Sequence, residues 1–532
     1  RAPGPHGTCP AKVTAPPTDV LARILDQADR QPDHPAAEDN ARRLSYVELI
    51  TEVTALARGL DRLGVRPGDR VALHLPNSVD FVSASLACAW VGAVFVPLAV
   101  SDPDARRAAI VASCEPALIL GPTAGEAESD GQGPSEYTTT TDARWRSMVD
   151  VVRAGDDGAE TPAPLLGGST GAYSIYTSGT TGTPKGVLIG RSAFAAAVAN
   201  TATLLGMDST TRALCVSPFH FDGSFGTLFP ALVSGGSLVI PPRESLLFPQ
   251  RFFRAVTRGS ITHTGFSPSY LRLLLASPGL AGLADTELRT VALGGEASSP
   301  ADILALWAAA PRVRIFNRYG PTETTIAVTH LELTRELVSR GTPMPIGRPH
   351  PGVTFHLVDD DGVVVDGVGR AGELYIGGDQ LMSGYLGDPA LTADVLRDDV
   401  VPGHTVYRTG DVVMRDERGD YIYLDRKDRV VKRSGVRISL LEVAGALREV
   451  IGVRDATAVT YDDGGNLAIA AFVVAKETVT VVDLRRSLGG HLPSTMLPDV
   501  IRMVDVLPMT SSGKVDDRRL LADAALSSGH ER

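Results

Sequence analysis

Residues 176–187, YTSGTTGTPKGV, gather three glycines, five serine or threonine hydroxyls and one lysine behind an apolar run. Glycine lets the backbone approach a ligand closely, and hydroxyls with backbone N–H groups can surround phosphate oxygens, so the stretch reads as a phosphate cradle. It lacks the GxxxxGK(S/T) spacing of the common nucleotide loop and is therefore a cradle of another kind. A flexible linker would not set Lys185 directly before a further apolar run.

The elements that must hold this loop alternate in type. LARILDQADRQPDHPA carries an apolar helical stripe, and LSYVELITEVTALARGLDRLGV repeats apolar residues at helical spacing up to a closing glycine. RVALHLP and VFVPL read as buried strands around a helix in FVSASLACAWVGA. Further strand–helix signals occur at RALCVSP, GSLVIPP, ITHTGFSPSYLRLLLAS, LRTVALGG and RVRIFNRYG. This alternation predicts an α/β fold with a large multi-layer N-terminal domain of mixed sheets. From 348 to 424 short alternating strands at Asp-Gly turns predict a β-rich subdomain. Residues 122–170 are polar and Gly/Thr-rich, and most of them are expected to form a surface excursion. The last hundred residues predict a small α+β domain behind the charged run LDRKDR. The expected division is a large domain at 1–424, a hinge at 425–430 and a small mobile domain at 431–532.

At 532 residues, the chain exceeds what one core usually supports. A formal charge of -11 opposes a phosphate-backbone surface, so nucleic acid is not an expected partner. Cys9, Cys88, Cys114 and Cys215 form no CxxC pair, which predicts a reducing compartment. No stretch resembles an export signal or a lipid-spanning helix, so a cytoplasmic location with no membrane partner is expected. The string LGGH at 488–491 resembles the start of a carrier attachment site but continues Leu-Pro without the serine, and reads as a helix end.

Ordered blocks along nearly the whole chain resemble the adenylate-forming (ANL) superfamily: acyl-CoA ligases, luciferases and the amino-acid adenylation domains of nonribosomal peptide synthesis. They are LSYVEL (44–49), GAVFVPL (92–98), the loop at 176–187, FNRYGPTETT (316–325), GELYIGG (372–378), YRTGD (407–411), LDRKDRVVKRSGVRI (424–438) and LPMTSSGK (507–514). The resemblance implies ATP and Mg2+ as cofactors. Thr177, Ser178, Gly179, Thr180, Thr181, Gly182 and Lys185 would surround the ATP phosphates. Glu323 would be the magnesium-associated carboxylate, Thr322 would approach the α-phosphate and Tyr319 would lie against adenine. Asp411 would take the ribose hydroxyls and Arg426 would reach the nucleotide from the linker. Lys514 would be the catalytic residue bridging the substrate carboxylate and the α-phosphate. Rotation of the small domain about Asp428 would then remove Lys514 and present a face containing Lys432 and Gly435 for attack by a thiol.

PFHFDGSFGTLFPALVSGG (218–236) resembles the peptide-synthetase version of its region, which implies that Asp222 binds a substrate ammonium. A helix cap on Ser224 and Phe225 is the structural alternative. By the same register the pocket is lined by Phe221, Gly223, Gly226, Gly265, Ala292, Gly294, Arg318, Ile326 and Ala327, with Phe219 and His220 at its entrance. Arg318 stands out, because a guanidinium in an apolar pocket needs a partner. A second substrate carboxylate would make the substrate an aspartate-like or β-amino dicarboxylic acid; an outward turn, or pairing with a protein acid, is the alternative. A bulky neutral amino acid also stays open. The acceptor implied is the phosphopantetheine thiol of a separate carrier protein, with coenzyme A as the alternative. Two positions depart from the family pattern: Ser383 in MSGY replaces an arginine, and LLEV retains Glu442 without the usual glycine.

Overall fold

The computed structural model describes residues 19–121, 144–156, 160–168, 171–177, 184–242, 246–340, 344–426, 430–433, 435–464, 466–476, 478–508 and 515–528. An eight-stranded sheet runs in the order Thr329–Glu332, Arg314–Tyr319, Thr290–Gly294, His263–Phe266, Arg212–Cys215, Ser237–Val239, Pro35–Glu38, Arg43–Ser45. Its six inner strands are parallel and its two edge strands antiparallel. A seven-stranded mixed sheet runs Gly384–Tyr385, Lys185–Gly190, Gly171–Thr177, Val94–Pro97, Arg70–Leu73, Leu118–Gly121, Arg144–Ser147. A third, antiparallel sheet occupies 345–426, where the alternating pattern places it. The parallel strands follow from helical crossovers, which cover both faces and make the strands near-continuous apolar runs.

The helix Phe225–Val233 is buried at all nine positions, as an apolar-all-round sequence requires. Phe225 meets Tyr173 at 5.0 Å and Phe95 at 5.6 Å between ring centroids, and Phe229 meets Phe194 at 4.8 Å. Truncating one such ring to alanine costs about 3–5 kcal/mol. The helix Tyr46–Arg62 begins at a reciprocal Ser45–Glu48 capping box. Its buried Tyr46 hydroxyl lies 2.8 Å from both Leu232 O and Gly236 O and shares its one hydrogen between them, tying the helix to the end of that central helix.

Beyond residue 430 a hairpin, Val430–Arg433 with Val436–Ser439, precedes the helix Leu440–Arg448 and a four-stranded sheet. Val443, Leu447, Ala471, Val473 and Leu484 form a core there that is distinct from the cores of the larger part. The LGGH string ends the helix Val481–His491.

One expectation is corrected in part. Within the stretch read as a surface excursion, Arg144–Ser147 adds a parallel strand beside Leu118–Gly121, and Met148–Ala154 forms a helix with Val151 fully buried. The signal was too short for periodicity to register; another capping box, Ser147 with Asp150, starts this helix. Cys88, Cys114 and Cys215 are free and buried, and burial pushes each thiol up to about 12. Cys9 lies outside the described residues. Among the described residues no helix is long and apolar enough to cross a membrane.

Candidate active site

The strands on either side of the phosphate-loop segment form an antiparallel pair. Gly171–Thr177 and Lys185–Gly190 pair antiparallel with Thr177 opposite Lys185, so both ends of the loop are fixed by strands. Thr177 Oγ1 is buried without a hydrogen-bond partner among the described residues. Ser178, Gly179, Thr180, Thr181 and Gly182 lie outside the described residues. Lys185 Nζ donates to the Tyr385 hydroxyl at 2.8 Å, and that hydroxyl donates to Glu323 Oε1 at 2.8 Å. Glu323 is fully buried, with Lys185 Nζ 3.5 Å away. Tyr385, which closes the MSGY block, was missed by sequence reasoning; its antiparallel pairing with Val187 brings it here.

Among the described residues no group of three or more His, Cys, Asp or Glu could hold a metal. The one carboxylate of Glu323 fits a magnesium ion that takes its other ligands from phosphate and water.

Tyr319 and Asp411 meet through a hydrogen bond from the Tyr319 hydroxyl to Asp411 Oδ2, and Asp411 is only 1% exposed. Asp411 pairs across the β-rich sheet with Arg426, whose backbone ends the strand Tyr421–Arg426. Lys432 Nζ stands over the Tyr319 ring, 5.4 Å from its centroid.

A cavity of about 440 Å³ is lined by Thr177, Phe221, Asp222, Arg318, Tyr319 and Thr322 among others. Asp222 opens the short 3-10 turn Asp222–Ser224, and no side-chain cap is made to that turn or to the helix behind it, so the capping alternative does not hold. Burial pushes the Asp222 carboxyl up to about 6, and nearby Glu323 adds to the rise. Hydrogen bonds from the Thr322 hydroxyl and the Ile326 and Gly223 N–H groups oppose it. Asp222 Oδ2 has no hydrogen-bond partner among the described residues. The Thr322 hydroxyl thus engages Asp222.

Arg318 turns inward, not outward. It fills the space that four glycines leave. A Cβ built on Gly294 would stand 2.3 Å from its Cγ, one on Gly226 would stand 3.1 Å from Nη1, and Cβ atoms on Gly265 and Gly223 would lie 3.6 and 3.7 Å from Nη2. Gly226 and Gly265 therefore back the guanidinium and do not themselves face the cavity, and Ala292 is buried against Leu205 and Phe316. The hydrogen bond from Arg318 Nη1 to Gly223 O is long, 3.4 Å, and burial lowers the Arg318 pKa to about 10 against the pull of Asp222. Ile326 and Ala327 line the cavity on a segment where Thr325 and Ile326 take positive φ, 60° and 68°. Phe221 reaches the cavity wall and also packs on the core of the small unit. Phe219 is 1% exposed and packed on Phe81, while His220 lines the opening.

The small unit closes the cavity with Lys432, Gly435 and Val436. Gly435 N donates to Glu296 Oε1 at 3.0 Å, and Arg106 Nη1 donates to Glu442 Oε1 at 2.8 Å. Glu442, notable in the sequence only for surviving a changed motif, is thus a partner across the seam. Lys514 and Asp428 lie outside the described residues.

The family described as "AMP-binding enzyme" matches residues 24–386, and "AMP-binding enzyme C-terminal domain" matches 442–514. Tyrocidine synthase 3 of Brevibacillus parabrevis is 33% identical over 522 residues, 96% of this chain and 8% of its own length. Phosphinothricin tripeptide synthetase PhsC of Streptomyces viridochromogenes is 33% identical over 514 residues, 95% of this chain and 45% of its own. The chain thus spans less than half of either relative. The crystal structure of IdnL1 is 30% identical with a TM-score of 0.77, covering 92% of this chain and 99% of that one. The family matches cover most of the chain and include Lys185, Glu323 and Tyr385, so the chain belongs to the AMP-binding enzyme family, within the adenylate-forming superfamily of ligases.

Proposed function

We propose that this protein activates the carboxyl group of an amino dicarboxylic acid as an acyl-adenylate and passes the acyl group to the thiol of a separate carrier protein. The observation that carries the substrate reading is a pair of opposite charges that line one cavity and make no ion pair with each other. Asp222 Oδ2 lacks a partner among the described residues, and Arg318 makes one long hydrogen bond. Buried charges left unpaired are costly, and a ligand carrying an ammonium and a carboxylate would relieve both costs. Arg318 would hold the carboxylate that is not activated by a two-pronged contact. The relatedness to two peptide synthetases supports an amino-acid substrate and a carrier acceptor.

In the first half-reaction a substrate carboxylate oxygen bonds to the α-phosphorus of ATP while the bond to pyrophosphate breaks, leaving acyl-AMP and pyrophosphate. Magnesium held beside Glu323 would supply charge neutralisation on the phosphates. Lys185, held by Tyr385, would take the phosphates, Tyr319 and Asp411 the nucleoside, and Lys514 the charge that develops between carboxylate and α-phosphate. In the second half-reaction a thiolate sulfur bonds to the acyl carbon and AMP leaves with the bonding pair. The described arrangement has Lys432 and Gly435 at the cavity, the face assigned to the second half. The division at 425–430, with rotation about Asp428, exchanges the two faces. ATP–pyrophosphate exchange with aspartate, 3-methylaspartate, glutamate, β-amino acids and large neutral amino acids tests the reading. Exchange confined to amino dicarboxylates supports it, and exchange with neutral acids alone removes the role of Arg318.

A further inference from the structure

His330 stands directly opposite Arg318 in the antiparallel pair Arg314–Tyr319 and Thr329–Glu332, so both side chains leave the same face of the sheet. Its Nδ1 lies 2.9 Å from His350 Nε2, with the two ring planes 11° from parallel. His350 Nδ1 lies 3.1 Å from Gln380 Oε1.

The far end of this chain of contacts decides every proton in it. Gln380 Nε2 points at the carbonyls of Thr324, Thr325 and Ala327 at 3.4, 3.2 and 2.8 Å, and a carbonyl only accepts. Gln380 Oε1 is therefore the atom facing His350, and it also accepts from Asn200 Nδ2 at 3.0 Å. His350 must then donate from Nδ1 and accept at Nε2. His330 in turn donates from Nδ1, which leaves its Nε2 as a bare lone pair. That nitrogen is buried and has no partner among the described residues. An acceptor without a donor and a guanidinium with N–H groups to spare thus project side by side from paired positions. Burial, with His350 and Arg318 close by, holds His330 well below its ordinary pKa, so the ring stays neutral.

We propose that His330 is a positioning residue for Arg318: its Nε2 accepts a rear N–H of the guanidinium and aims the remaining fork into the cavity at a substrate carboxylate. A small rotation of Arg318 within its glycine cradle completes the bond. The chemistry of the partner matters. A neutral acceptor orients the guanidinium and leaves its charge for the ligand, whereas a carboxylate at the same place would pair with Arg318 and remove it from recognition. The same relay grips the carbonyls around Thr325 and Ile326, the segment with positive φ, so one network sets both the polar and the apolar wall of the pocket. The role in substrate choice rests on the reading of Arg318 as a carboxylate clamp; the contact itself does not.

Two measurements on the full chain separate these. In protein labelled with 15N-histidine, the His330 Nε2 resonance is identified by its loss in His330→Asn. It is expected to show an unprotonated nitrogen that accepts a hydrogen bond in wild type and to move toward the free-acceptor position in Arg318→Ala. An identical resonance in both proteins, or a protonated Nε2, overturns the proposal whatever the substrate is. The second measurement is pyrophosphate exchange. His330→Asn keeps an amide donor for His350 but no acceptor for Arg318, and is expected to raise KM for the preferred amino dicarboxylate about tenfold with kcat within about twofold. His330→Gln, which returns an acceptor near the Nε2 position, is expected to recover most of the loss. In an Arg318→Ala background His330→Asn adds nothing. Equal losses with dicarboxylate and neutral acids, together with a lowered melting temperature, make His330 merely structural and also overturn the proposal. If no amino dicarboxylate supports exchange, the clamp reading fails alone and the resonance decides the contact.

Discussion

The seam between the large and small units and the acid-binding end of the cavity both bury ionised side chains, and they complete them differently. At the seam Arg106 meets Glu442 at 2.8 Å with side chains 8% and 2% exposed, and Asp102 approaches the same guanidinium at 3.4 Å. In the pocket Asp222 and Arg318 face a shared cavity without meeting. A closed buried pair holds two surfaces together, because opening it leaves charge uncompensated at a cost of about 3–5 kcal/mol. An open pair holds nothing together and is completed by a ligand. Variants at the seam should therefore act on where the small unit sits, and variants in the pocket on what is bound.

The largest expected effect comes from Asp222→Ala. Loss of the carboxylate that would pair with a buried ammonium is expected to lower kcat/KM in pyrophosphate exchange about 10²–10³-fold. The melting temperature of the empty protein is expected to change little, since losing the hydrogen bonds from Thr322, Ile326 and Gly223 is offset by relief of the buried carboxyl. A comparable fall in stability would mean that Asp222 is completed within the fold, like Glu442. Next, Arg318→Leu is expected to cost about 100-fold with amino dicarboxylates and little with neutral amino acids, measured in the same assay. Equal loss across substrates would return Arg318 to a structural role.

Glu442→Gln sharpens the other side. Burial raises the Glu442 pKa against the pull of Arg106, and Oε2 has no partner among the described residues, so the pair across the seam depends on its one contact with Arg106. Single-turnover transfer to a thiol acceptor is expected to slow about tenfold, while pyrophosphate exchange stays within about threefold. Equal losses in both half-reactions would show that the seam does not distinguish them.

The pH dependence tests the pocket without a mutation. Asp222 must be ionised to attract an ammonium, and in the empty fold it becomes neutral below about 6. The amino-acid KM is expected to rise about tenfold per unit as pH falls below that value and to be flat above it. Because the folded value lies above the ordinary 3.8, protonation favours the empty fold; that contribution is full below 3.8 and is lost as pH rises through about 6. Asp222→Asn should remove the KM inflection. The smallest effect is expected of Tyr385→Phe, about fivefold in exchange, since Lys185 and Glu323 remain 3.5 Å apart without the bridging hydroxyl. No change at all would make the bridge incidental.

The α/β alternation, the β-rich stretch at 345–426 and the small C-terminal unit were legible because each rests on local periodicity. The strand and helix at 144–154 were not, because eleven residues inside a polar stretch give periodicity little to act on. Within the site, the apolar runs flanking the phosphate loop, with Lys185, Glu323 and Asp411 as candidates, could be read from motifs. Tyr385 could not, although it bridges two residues that were: it lies 200 residues from Lys185 and 62 from Glu323, and only strand pairing joins them. Four glycines in the pocket register spoke only of space. That one arginine fills that space is a fact of packing.

The order of motifs, the glycines and the charged residues were determined by the sequence alone, because residue type and spacing along one chain settle which chemistry is available. The tertiary structure alone decided which charges are paired and which are left open. Arg106 finds Glu442 across 336 residues, and the Gln380–His350–His330 relay joins a loop to a strand. Hydrogen bonds and Coulomb attraction act over a few ångströms of space, and distance along the chain does not report that separation.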